Sequence, residues 1–215
     1  SKGFASVLTG MMVNDGYLNW DDHVRTYIPD FRMKDTAAAS QLTIRHILSH
    51  TSGFPEHTYT DMLDNGFTYD CIKTTLGDVP LAAKPGKVYG YQNVVYSLIG
   101  DVLQNATGTD YNTLLRERIF APLHMNEASS DFASFNNNPN AAFPHLRYGH
   151  GWKVRNKNDR YYSVAPAGGI NASAADMAQW LLALTGYYPE VVSDRTVHDV
   201  SQSNIETPRK YAYKV

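Results

Sequence analysis

The chain has 215 residues, 43% of them hydrophobic and 19% charged, with a formal net charge of -2 at pH 7; this is a globular composition with enough chain to build a core, as one large domain or two small ones. The charge balance gives no electrostatic case for nucleic acid or an anionic membrane, and Lys and Arg are scattered, with no basic run longer than Arg209-Lys210. No apolar stretch is long enough to span a bilayer, and the single cysteine, Cys71, excludes an internal disulfide without fixing a compartment.

The chain opens on Ser1-Lys2-Gly3-Phe4 without an initiator Met or a signal peptide, and stops at Tyr211-Ala212-Tyr213-Lys214-Val215; both ends read as cut. Phe4, Val7, Leu8, Met11 and Met12 predict one apolar helix face, with Gly16 as the C-terminal stop. A short helix over Asp21-Asp22-His23-Val24-Arg25-Thr26-Tyr27 is ended by Pro29. Thr43 is placed to cap a helix with Ile44, Ile47 and Leu48 inward, running to Gly53-Phe54-Pro55. Met62, Leu63, Ile72 and Leu76 indicate short helices between 56 and 83, where Tyr59 and Phe67 are read as packing residues ahead of pocket residues.

In Lys84-Pro85-Gly86-Lys87-Val88-Tyr89-Gly90-Tyr91-Gln92-Asn93, a Pro-Gly turn leads into an aromatic run, and Asn93 stands at a helix N-cap position. Apolar residues then fall at 94, 95, 98, 99, 102 and 103, which is helical spacing. Tyr91 and Asn93, two apart on non-helical backbone, can point into one cleft. A second helix follows Thr107-Gly108-Thr109-Asp110, burying Leu114, Leu115 and Ile119. Asn136-Asn137-Asn138-Pro139-Asn140 reads as a polar loop. Tyr148–154 and 160–164 read as two strands around Asn156-Lys157-Asn158-Asp159. Pro166-Ala167-Gly168-Gly169 permits a tight backbone pass. Ser173 with Asp176 resembles a capping box for a helix carrying Met177, Trp180, Leu181 and Leu184 on one face, and a last short helix starts near Asp194.

The segments Leu42-Thr43-Ile44-Arg45-His46-Ile47-Leu48-Ser49-His50-Thr51-Ser52-Gly53, Tyr91-Gln92-Asn93, Thr107-Gly108 with Pro122-Leu123-His124-Met125, and Ala167-Gly168-Gly169-Ile170 through Asp176-Met177-Ala178 stand in an order that resembles the serine β-lactamase and penicillin-binding protein superfamily, in its class C and esterase branch. The resemblance runs from about Lys2 to Pro208 and implies an α+β, β-lactamase/transpeptidase-like fold. Of that fold this chain, 1–215, is expected to be a partial domain: mainly the α-helical part, with most of the antiparallel sheet missing. Helix faces that normally pack on the sheet are then expected to be exposed.

By the same resemblance Lys2 is the lysine of a Ser-x-x-Lys motif, with the nucleophilic serine three residues before it and outside the chain. Tyr91 shares and delivers protons, and Asn93 hydrogen-bonds substrate. Ser1, adjacent to Lys2, is not that serine. Within the chain, Thr207 alone stands three residues before a lysine, Lys210, and Pro208 spoils helical geometry there. Gly-x-Ser-x-Gly, Lys-[Ser/Thr]-Gly and His-x-Gly do not occur. The implied activity is acyl transfer through a serine on a β-lactam, a D-Ala peptide or an ester, without cofactor, with the chain alone inactive. The family's habit implies a periplasmic or secreted protein.

Two other readings stand beside it. One is a non-catalytic scaffold or binding module that keeps the fold and not the chemistry. The other is a metal hydrolase built on His46 and His50, but Ile47 stands where a metalloprotease needs Glu and no third ligand is evident, so packing and capping roles are favoured. His145, His150 and His198 read as structural or exposed.

Overall fold

The computed structural model describes residues 1–207; Pro208, Arg209-Lys210 and the pairing of Thr207 with Lys210 lie outside the described residues. Twelve helices are found among them: α1 (Lys2–Asn14), α2 (Val24–Tyr27), α3 (Thr36–Gln41), α4 (Ile44–Leu48), α5 (Thr60–Asp64), α6 (Tyr69–Thr75), α7 (Val94–Thr107), α8 (Tyr111–Leu115), α9 (Phe132–Asn137), α10 (Ala165–Gly168), α11 (Ala174–Leu184) and α12 (Asp194–Val200). The sheet among the described residues is one hairpin, β1 (His145–Tyr148) with β2 (Gly151–Val154). The mainly helical character expected from the sequence is therefore what the residues form.

The core is organised around α7, which packs against α1, α2, α4, α6, α8 and α10. Six consecutive residues from Val94 to Ile99 are buried, so its first turns are surrounded on all sides. Gly108 ends it in the left-handed region at φ 76°, and Asp110 accepts from the Thr113 N–H to cap α8. Helix α1 buries Phe4, Val7, Leu8, Met11 and Met12, with Phe4 stacked on Trp180 of α11 at 4.0 Å between ring centroids. Gly16, at φ 81°, follows its C-terminus.

Several expectations are corrected. The helix capped by Thr43 ends at Leu48, well before Gly53, because His50 turns into the left-handed region at φ 56°. The strands lie earlier than expected: Tyr148 pairs with Gly151 across the two-residue turn Gly149-His150, and 160–164 is a 3-10 turn instead of a strand. The Gly-x-Gly spacing, with Gly149 at φ 59°, makes a turn where continuous strand was expected. Asn136 and Asn137 close α9, whose N-cap Asp131 accepts from the Ser134 N–H. On α11 the capping box of Ser173 and Asp176 forms and Trp180 is buried, but Met177 and Leu181 are exposed, so the residues read as one face are not buried together. Tyr59 packs against the core and Phe67 is half exposed.

Candidate active site

The Thr51-Ser52-Gly53 turn holds down the segment that carries Tyr91. Gly53 lies at φ 88°, and a Cβ there would stand 2.2 Å from the Ala83 carbonyl oxygen; only glycine permits that approach. The Gly53 carbonyl accepts from the Ala82 and Ala83 N–H groups, Thr51 O accepts from Gly86 N at 2.7 Å, and His50 O accepts from Gly90 N at 2.8 Å. At Gly90 a Cβ would lie 2.9 Å from Phe54 O. These bonds strap residues 82–90 onto 50–54.

The strap then delivers alternate side chains. His57 N donates to Tyr91 O at 2.9 Å, and Gln92 N donates to His50 Nδ1 at 3.2 Å. Gln92, 1% exposed, turns its amide to the Pro55 carbonyl. Tyr91 and Asn93 turn the other way, towards the start of α1. Asn93 does not cap α7 with its side chain as its position suggested: its backbone is already helical (φ -91°, ψ -49°), and its amide oxygen is committed elsewhere.

That commitment is to Lys2. The ammonium donates to Tyr91 Oη at 2.8 Å, Asn93 Oδ1 at 2.8 Å and Ala167 O at 3.0 Å. All three of its protons are directed at neutral oxygens, and no carboxylate is among its described partners. Because Tyr91 accepts from Lys2, the phenol keeps its own O–H for a second partner. The three residues singled out from the sequence are thus brought together. Ala167 was missed as a ligand, since a backbone carbonyl carries no side-chain signal, although the Ala167-Gly168-Gly169 run marked a close backbone pass.

Two further residues support the cluster and were not anticipated. Tyr96, fully buried, donates to Lys2 O at 2.8 Å and shares a hydrogen bond with Ser6 Oγ at 2.7 Å; burial pushes its phenol up. Tyr96 carried no sequence signal of its own, standing within the run that opens α7. His50 lies with its ring centroid 4.7 Å from that of Tyr91 and 5.1 Å from that of Tyr96. Burial, then the charge of Lys2, pushes its pKa down to about 3, so it is neutral, with Nδ1 accepting and the proton on Nε2.

The metal reading does not fit this geometry. His46 Nδ1 accepts from Thr43 N at 3.2 Å and completes a capping box, whereas His50 has left the helix. Among the described residues no group of three His, Cys, Asp or Glu could hold an ion. His145, His150 and His198 are exposed. Ser1 Oγ accepts from Ile170 N at 3.1 Å, tying the start of α1 to the segment after α10. Residues 170–174 also line a cavity of about 510 Å³ with Ser129, Phe135 and Asn138.

A family model described as Beta-lactamase matches residues 1–207. Protein flp of Staphylococcus aureus (strain N315) is 31% identical over 132 residues, covering 60% of this chain and 26% of that protein. Penicillin-binding protein 4 of Amycolatopsis lactamdurans is 30% identical over 131 residues, covering 60% and 34%. The chain thus spans about a quarter to a third of the length of these curated relatives. The octameric penicillin-binding protein homologue from Pyrococcus abyssi superposes with a TM-score of 0.79 at 23% identity, over 96% of this chain and 48% of that one; at that identity the likeness is one of fold.

Proposed function

The chain belongs to the beta-lactamase family, and we propose that it forms the helical part of a serine hydrolase in which Lys2 and Tyr91 move protons and Asn93 orients both Lys2 and substrate. The observation that supports this reading is the Lys2 ammonium held 2.8 Å from both Tyr91 Oη and Asn93 Oδ1. A serine one helical turn before Lys2, in sequence preceding Ser1, would present its hydroxyl to the same atoms.

In the proposed reaction the reactive form of the Lys2–Tyr91 pair carries one proton fewer than an ammonium plus a phenol; the serine oxygen attacks the carbonyl carbon of a β-lactam, a D-Ala peptide or an ester, and its proton fills that place on the Tyr91 oxygen. Collapse of the tetrahedral species breaks the bond to the leaving group, which takes a proton from Tyr91. Water then adds to the acyl-enzyme, giving up a proton to Tyr91, and the serine leaves reprotonated. Asn93 holds Lys2 against Tyr91 throughout. Its amide N–H₂ remains available to a substrate carbonyl. The 215-residue chain alone, without that serine, does not turn over substrate, and the whole protein acts outside the cytoplasm. Among the described residues no helix is long and apolar enough to cross a membrane.

The test is intact-mass analysis of the full-length protein and of the 215-residue chain after exposure to a penicillin or a fluorophosphonate. One adduct on the full-length protein, mapping to a serine three residues before Lys2, and none on the short chain, is the expected result. An unlabelled full-length protein would instead favour the scaffold reading, and an adduct within 1–215 would move the nucleophile.

A further inference from the structure

The hairpin β1–β2 stands clear of the core. Every residue of both strands is exposed, and Leu146, Tyr148, Trp152 and Val154 are 51%, 68%, 70% and 60% exposed. A hairpin lacking only a packing partner would be apolar on one face and polar on the other. Here the register puts His145, Arg147, Trp152 and Val154 on one face and Leu146, Tyr148, Gly151 and Lys153 on the other. Each face therefore carries a large aromatic, an aliphatic and a cationic side chain.

The charge is equally lopsided. Residues 143–158 contain Arg147, Lys153, Arg155 and Lys157 and no Asp or Glu, in a chain of net charge -2. None of these four cations is paired with a carboxylate among the described residues. Lys153 Nζ lies 4.1 Å from the centroid of the Tyr148 ring, and Lys157 is tied to the Phe135 carbonyl. Net charge averages over this asymmetry, which is why composition gave no case for a membrane.

We propose that the hairpin enters the headgroup region of an anionic lipid bilayer tip first. The rungs next to the Gly149-His150 turn carry Tyr148 and Trp152 on opposite faces, and such side chains favour the boundary between water and hydrocarbon. Arg147 shares the rung of Trp152, and Lys153 and Arg155 follow behind, where long cationic side chains reach lipid phosphates. A wedge wetted by lipid on both sides accounts for apolar residues on both faces; a protein groove would cover one. Nucleic acid would satisfy the cations but leave Leu146 and Val154 without a role. The surface shares no residue with the Lys2 cluster, so this inference and the proposed hydrolase activity stand or fall separately.

The test uses the full-length protein with vesicles of phosphatidylcholine alone and of phosphatidylcholine mixed equally with phosphatidylglycerol, read by co-sedimentation and tryptophan emission. Binding to the mixed vesicles only is expected, with a blue shift that Trp152→Phe abolishes. Each of Arg147→Gln and Lys153→Gln lowers partitioning about fivefold, and added salt weakens it further. These residues are exposed, so an unchanged circular dichroism spectrum and thermal midpoint accompany the loss. Equal binding to both vesicle types, no binding to either, or full binding by R147Q/K153Q overturns the proposal. So does a DNA duplex bound more tightly than the mixed vesicles, or a Trp152 already shielded from a soluble quencher in the absence of lipid.

Discussion

His50→Asn removes the titrating ring behind Tyr91 while disturbing the backbone little, since Asn tolerates the left-handed conformation found at φ 56° and its amide oxygen can accept from the Gln92 N–H. In the folded protein burial, reinforced by the Lys2 charge, holds the imidazole pKa down to about 3; in the unfolded chain it returns to about 6.5. The unfolded state therefore takes up the proton first. Stability is full above about pH 6.5 and declines as pH falls from there towards 3, by about 1.4 kcal/mol per pH unit and about 5 kcal/mol at the acid end. Urea unfolding at pH 7, 6, 5 and 4, followed by tryptophan emission, gives the slope for each protein. Carboxylates held below their usual range, Asp21 beside Arg45 and Asp110 at its cap, also lose stability in acid, but they do so in both proteins. The difference between wild type and variant isolates His50. Parallel pH profiles between 6.5 and 4 would refute the argument, because they would mean that the folded state accommodates the charged ring.

In the full-length protein, Tyr91→Phe is expected to lower turnover of the responsive substrate by about 10²–10⁴-fold, the usual worth of a positioned acid–base group, with an unchanged circular dichroism spectrum; wild-type rates on lactam, D-Ala peptide and ester alike would remove Tyr91 from the mechanism. Gly53→Ala is expected to cost at least about 2 kcal/mol more than Gly66→Ala in urea unfolding, since both glycines have positive φ but only at Gly53 does a Cβ meet backbone, at 2.2 Å; equal costs would show that the strap is not close-packed there. Asp176→Ala is expected to cost about 1–2 kcal/mol, because the buried carboxylate accepts from both Ser173 N and Ser173 Oγ at 2.9 Å, and a thermal midpoint within error of wild type would contradict that.

Much of this arrangement was legible in advance. The period of α7, the caps at Thr43, Asp110 and Ser173, and the facing of Tyr91 and Asn93 depend on local rules, and those rules held. What failed depended on distant partners or on a single backbone torsion. His50 ends α4 early because its carbonyl and ring are both used by the strap, a contact 40 residues away in sequence. Asn93 looked like a cap because it precedes an apolar helix, yet an ammonium 91 residues away outcompetes the local N–H. The strand boundaries failed because both faces of the hairpin are solvated, so no alternation of burial marked them.

The Lys2 cluster closes loops of 89, 91 and 165 residues through one nitrogen. Such contacts come late in folding, because the chain must give up long-range entropy before they reward it. No sub-piece of the molecule can hold the cluster half-formed: α1, the strap and α10 must all have docked before the ammonium finds its three acceptors. In the proposed hydrolase, proton transfer through Lys2 and Tyr91 is therefore confined to molecules in which all three segments have docked.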